Sequence, residues 1–150
     1  IPEARILKEV AVVPGTDGQK MSKSYGNTIP MFGDEKTIKK AIMGIVTDSK
    51  DARAPKEPET CTIYQIHKHF LSPPEARSLA DEYRDGLSYG EAKERLFVAS
   101  MDAFGPLRKK RQELEKNPSF VEEVLRDGAR KAQAEAEKTM GHVRKAVGLR

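Results

Sequence analysis

The sequence predicts a mainly α fold: a helical bundle preceded by the short tail of an α/β unit. Three observations carry this. Apolar residues recur at three- and four-residue spacing, in a composition of 37% hydrophobic and 33% charged residues. Helix start signals punctuate the chain, among them Ser72-Pro73-Pro74-Glu75, Ser88-Tyr89-Gly90-Glu91 and Asn117-Pro118. The stretch that reads as extended is short, with Ile6-Leu7 and Val10-Ala11-Val12-Val13 closed by Pro14-Gly15.

In chain order, Ile1 to Val13 is expected to be a strand or extended segment, the end of a sheet whose other strands lie elsewhere. Asp34 is placed to cap a helix carrying Ile38, Ala41, Ile42 and Ile45, which Thr47-Asp48-Ser49 should end. Residues 48–59 hold two prolines and no apolar period, and read as an exposed, mobile linker. Thr60 to Leu71 reads as a helix with Ile63, Ile66, His67 and Phe70 on one side. The next runs from a Ser72 cap to about Asp85 and stops at Gly86. Two long helices follow. One passes through Leu96 and Leu107 with a kink expected at Gly105-Pro106; the other runs from Pro118 to Val147. Val121, Leu125, Gly128, Ala132 and Ala136 form a stripe on the second, so the two helices are expected to pack antiparallel.

Composition narrows the function classes. The chain has 150 residues, enough for one ordinary domain. Its net charge of +4 is compatible with an RNA partner. Cys61 is the single cysteine, so no internal disulfide forms and a reducing compartment fits. No apolar run is long enough to span a membrane. The opening Ile-Pro-Glu-Ala-Arg has no initiator methionine and no signal-peptide pattern, and is expected to lie inside a larger protein.

The stretch with the most chemistry is Lys20-Met21-Ser22-Lys23-Ser24, which sets two lysines and two hydroxyls within five residues. Glycines and turn formers flank it, from Pro14-Gly15-Thr16-Asp17-Gly18 to Tyr25-Gly26-Asn27. Paired ammonium groups on a loop suit a polyphosphate. Other constellations are weaker. His67 and His69 are two apart and diverge by about 200° on a helix, so they do not share a zinc ion, and no metal site is assigned. Cys61 has no visible base to activate it. Arg108-Lys109-Lys110-Arg111 is the densest basic run, with Arg126, Arg130 and Lys131 following. These are candidates for an RNA backbone, or else a solvated helix surface.

Lys20 to Ser24 and its flanks resemble the second signature of class I aminoacyl-tRNA synthetases, in its tryptophanyl form. Ala41 to Ser49, Asp127 to Ala132 and the ending Ala146-Val147-Gly148-Leu149 look like the same family. The resemblance covers the chain but only the C-terminal part of such an enzyme; the His-x-Gly-His signature is absent. It implies residues 1–32 as the end of a Rossmann-like catalytic domain and 33–150 as the helical anticodon-binding domain. The implied ligands are ATP, with Mg²⁺ carried on it, tRNA(Trp) and, in the full-length parent, tryptophan. The implied setting is a cytoplasmic homodimer. Lys23 first and Lys20 second are implied to stabilise charge on the pyrophosphate leaving group. Met21 is expected to anchor the loop, Ser22 and Ser24 to bond the phosphates, and Ile6, after Arg5, to lie on adenine or else pack in the core. Arg108 to Arg111, Arg126, Arg130 and Lys131 are implied tRNA contacts. The isolated chain is not expected to be catalytic. The alternative is a non-catalytic RNA-binding or interaction module derived from a synthetase.

Overall fold

The computed structural model describes residues 3–7 and 11–149, which fold as two compact units, Ile1–Pro106 and Leu107–Arg150. Five α-helices follow one another: α1 Glu35–Met43, α2 Thr62–His67, α3 Pro73–Arg84, α4 Tyr89–Glu115 and α5 Pro118–Ala146. The boundary between the units falls within α4. No β-strand forms among the described residues. The strand expected before Val13 falls partly on Ile1, Pro2, Lys8, Glu9 and Val10, outside the described residues. Glu3 to Leu7 is exposed and unassigned, as a lone segment has no neighbour to complete a ladder.

Local chemistry sets the helix starts. The Asp34 carboxylate accepts from Thr37 N–H at 2.9 Å and from its hydroxyl at 2.6 Å, capping α1. The Glu75 carboxylate accepts from Ser72 N–H at 2.8 Å, closing a capping box before α3. The Asn117 side chain accepts from Phe120 N–H at the start of α5. α4 continues past Pro106 without a break in the helix.

The core of the first unit gathers one face from each of its helices. Ile38 and Ile42 of α1, Ile63 of α2, Tyr83 of α3 and Leu96 of α4 are fully buried or nearly so. Each such side chain contributes about 2 kcal/mol of transfer free energy. Tyr64 and Tyr83 meet edge to face at 5.7 Å. Lys93 of α4 reaches the C-terminal end of α1, donating to the Met43 and Ile45 carbonyls at 2.9 and 2.7 Å. It thereby satisfies carbonyls that a helix end leaves open.

Residues 48–59 differ from the mobile linker expected. Most of their side chains are exposed, but Lys56 is 2% exposed and Pro58 is buried. The Lys56 ammonium donates to the carbonyls of Ala52 and Ala54 at 2.9 and 2.8 Å and lies 5.0 Å from the Tyr89 ring centroid. Its own N–H donates to Tyr83 O at 2.9 Å. One lysine thus gathers the loop and fixes it to the helices.

His67 is 4% exposed, and its Nδ1 has no hydrogen-bond partner. Burial, then the nearby Arg95, holds its pKa below the ordinary 6.5. The unfolded chain therefore binds the extra proton first as pH falls, and the fold loses stability from pH 6.5 downwards. The melting temperature should fall between pH 7 and 5, and His67→Gln should flatten much of that slope. The carboxylates with lowered pKa, Asp17, Asp34, Asp48 and Glu75, act below this window, and the remaining slope within it belongs to His69, whose pKa burial also lowers.

The second unit is the end of α4, a turn at Lys116–Asn117 and α5. No residue of α5 is buried. The expected packing on its stripe is not made: Val121, Leu125, Ala132 and Ala136 are exposed, and a Cβ on Gly128 would meet nothing within 4 Å.

Candidate polyphosphate-binding loop

The loop starts from a pinched base. Pro14 and Lys20 form an isolated antiparallel bridge, with Met21 N–H donating to Val13 O at 2.9 Å and Gly15 N–H to Gln19 O at 2.6 Å. Val46 N–H, just beyond α1, donates to Thr16 O at 2.8 Å and fastens the loop to the helical core. Residues 32 and 33 fall within the same compact unit.

Asn27 is the centre of the loop. It is 3% exposed, although Lys23 to Gly26 beside it are exposed. Its Oδ1 accepts from Ser22 N–H at 2.8 Å. Its Nδ2 donates to Asp17 Oδ1 at 2.7 Å and to Lys20 O at 3.1 Å. Its backbone carbonyl accepts from Thr16 N–H at 2.9 Å. The partners settle the amide's orientation, because a carboxylate and a carbonyl require the NH₂. Asn27 holds the Asp17 carboxyl below its ordinary range, chiefly through this bond. Gly15 is required beside it, since a Cβ there would lie 2.3 Å from the Asn27 amide nitrogen and 2.7 Å from its backbone oxygen.

From Ser22 the chain makes a 3₁₀ turn, Lys23–Tyr25. The Ser22 hydroxyl accepts from Ser24 N–H at 3.3 Å and caps it, and Gly26 closes it at φ 67°. Met21 and Ser22 are half-buried; Lys20, Lys23 and Ser24 are exposed. Neither Lys20 nor Lys23 has an ion-pair partner among the described residues, so both ammonium groups are available to an anion. Beside the loop lies a cleft of about 240 Å³ lined by Asp17, Asp48 and Glu57. Its three carboxylates would repel a phosphate chain, whereas the exposed ammonium groups of Lys20 and Lys23 would attract one.

The other sequence candidates are dispersed. Ile6 is 71% exposed and packs in no core. Most of the basic residues of the second unit hold partners on their own helices: Lys110 with Glu113 at 3.2 Å, Arg111 with Glu115 at 2.8 Å, Arg126 with Glu122 at 3.6 Å. Asp127 takes both Arg130, at 3.3 Å, and Lys131, at 2.6 Å. Exposed pairs of this kind contribute about 0.3–0.5 kcal/mol, so a phosphate can displace them. Lys109 has no ion-pair partner among the described residues, and Arg108 is half-buried. Among the described residues no group of three His, Cys, Asp or Glu side chains could hold a metal ion, and no helix is long and apolar enough to cross a membrane. Sequence reasoning did not single out Asn27 as the residue that organises the loop. The signal for it was an amide directly after a turn glycine, which is common in loops and does not reveal partners up to ten residues away.

Residues 1–105 match the model of a protein family described as tRNA synthetases class I (W and Y). The chain is 44% identical over its whole length to the tryptophan–tRNA ligase of Rhodopirellula baltica, of which it covers 47%. It is 41% identical to that of Neisseria meningitidis, covering 45%. The crystal structure of tryptophanyl-tRNA synthetase from Campylobacter jejuni complexed with ADP and tryptophan has a TM-score of 0.85 to it at 45% identity, over 99% of this chain and 47% of that one. The chain spans about half the length of these relatives.

Proposed function

The chain belongs to the class I tRNA synthetases of the W and Y group, and on that premise we propose that it forms the C-terminal part of a tryptophan–tRNA ligase. Residues 1–32 bring the lysine loop to the catalytic domain, and residues 33–150 form the helical domain that receives the anticodon of tRNA(Trp). The observation that carries this reading is the pair Lys20 and Lys23, without an ion-pair partner among the described residues, on a loop locked by Asn27.

In the reaction, the tryptophan carboxylate attacks the α-phosphorus of ATP, forming tryptophanyl-adenylate and expelling pyrophosphate. The amino acid is then transferred to the tRNA. Negative charge grows on the leaving pyrophosphate, so ammonium groups placed there stabilise the transition state more than the ground state. Lys23 takes this role first and Lys20 second. The Ser24 hydroxyl adds a donor to the phosphates. The Ser22 hydroxyl already caps the turn and adds its own O–H, while Met21 anchors the loop. Ile6 lies on adenine, with its exposed side chain open to that contact. Mg²⁺ arrives with ATP, and no carboxylate of this chain is assigned to it. The ligase works in the cytoplasm as a homodimer.

Arg108, Lys109, Lys110, Arg111, Arg126, Arg130 and Lys131 contact tRNA phosphates, and Lys110, Arg111, Arg126, Arg130 and Lys131 exchange their intrahelical carboxylates for the backbone. Replacing Arg108 and Arg111 together by Ala should weaken all tRNAs alike. It should also flatten the log–log dependence of affinity on salt by about 0.7–0.9 per lost contact. Replacing an anticodon base should weaken binding without changing that slope. A titration series on the full-length ligase decides it: wild-type affinity and slope in the double variant remove the basic run from the interface.

A further inference from the structure

We propose that Asn27 is a positioning residue for adenylate formation, setting where Lys20 and Lys23 meet the pyrophosphate of ATP. This inference rests on the ligase reading. The amide grips the backbone on both sides of Met21, taking Lys20 O on one side and Ser22 N–H on the other. It therefore holds the Lys20–Ser22 segment as a neighbouring strand holds its partner. Ser22 in turn caps the 3₁₀ turn that starts at Lys23, so the direction in which Lys23 leaves the backbone depends on the same anchor. Asp17 orients the amide through Nδ2. Thr16 is bonded on one side to Asn27 O and on the other to Val46 N–H, which refers the whole arrangement to α1. One side chain thus fixes the backbone of two lysines whose side chains are exposed, and it has no need to touch the substrate.

The positioning role separates from a merely structural one by exchange of partners. Asn27→Asp keeps the acceptor for Ser22 N–H but sets a carboxylate against Asp17 and the Lys20 carbonyl. Adding Asp17→Asn returns a donor to the 17–27 contact. In single-turnover adenylate formation by the full-length ligase, Asn27→Asp should lower the rate at saturating ATP by roughly 100-fold, as a misplacement of about 1 Å does. Tryptophan affinity should stay within about twofold, since the loop bonds only the phosphate end. The Asp17→Asn, Asn27→Asp pair should recover at least about tenfold of the lost rate, with Asn27→Ala lying between. Wild-type rates in Asn27→Asp, measured where Lys23→Ala is slow, overturn the positioning role and leave the ligase reading standing. A wild-type rate in Lys23→Ala overturns the loop's role and this inference with it. If Asn27→Asp and Asn27→Ala lower the melting temperature and tryptophan affinity together, and the exchanged pair recovers nothing, Asn27 is a folding residue only and the inference fails.

Discussion

Replacing Lys23 by Ala in the full-length ligase should slow tryptophanyl-adenylate formation by about 100-fold, about 3 kcal/mol in the barrier. On the proposed reading the effect is large because negative charge on the β-phosphate increases as pyrophosphate departs, so an ammonium group there stabilises the transition state more than bound ATP. Tryptophan affinity should change little, because the loop reaches only the phosphate end of the reaction. Lys20→Ala should cost less, since Lys23 starts the 3₁₀ turn that Ser22 caps, whereas Lys20 stands at the bridge with Pro14 at the base of the loop. The check is a rapid-quench single-turnover measurement at saturating ATP. An unchanged rate for Lys23→Ala removes it from the chemistry.

The second large effect is on stability. Lys56→Ala should destabilise the first unit by about 3 kcal/mol, because it strips the donor from the Ala52 and Ala54 carbonyls in a place where only 2% of the lysine reaches solvent. The cation over the Tyr89 ring is lost with it. Tyr89 also donates to Asp48 at 2.7 Å, so the loop loosens at both ends. For a unit of this size the melting temperature should drop by roughly 10 °C. Lys56→Met keeps the aliphatic stem and should be nearly as destabilising, because the donated bonds and not the stem hold the loop. A Met variant as stable as wild type would assign the effect to packing instead. Thermal melts followed by circular dichroism distinguish the two.

Lys56 also shows where sequence reading stops. A polar stretch with two prolines gives no period, and nothing local says that one lysine turns inward to collect carbonyls up to four residues away. The helix starts at Asp34, Ser72 and Asn117 were legible because capping depends on residues three apart, a spacing written in the sequence. Lys93 donates across 48 and 50 residues to the end of α1, and that bond exists only once α1 and α4 have packed. Asn27 lies between these cases. Its place after a turn glycine was visible, but its three side-chain bonds depend on the loop closing over Asp17 and Lys20. The stripe on α5 was read correctly as apolar, yet a stripe does not say what covers it, and α5 buries none of its residues. The lysine pair was legible as a word resembling a family signature. That neither ammonium group has a carboxylate partner among the described residues could come only from the structure.

The central claim is that this chain supplies the pyrophosphate-gripping loop of a tryptophan–tRNA ligase. The most direct test joins the chain at Ile1 to the complementary N-terminal half of the Campylobacter jejuni enzyme, whose matching region is 45% identical to it. Tryptophan-dependent ATP–pyrophosphate exchange is then measured on the chimera and on the chain alone. The account predicts exchange by the chimera, strongly reduced by Lys23→Ala, and none above blank by the chain alone. A chimera that binds tryptophan and ATP with its helices intact, yet exchanges no pyrophosphate, would contradict it.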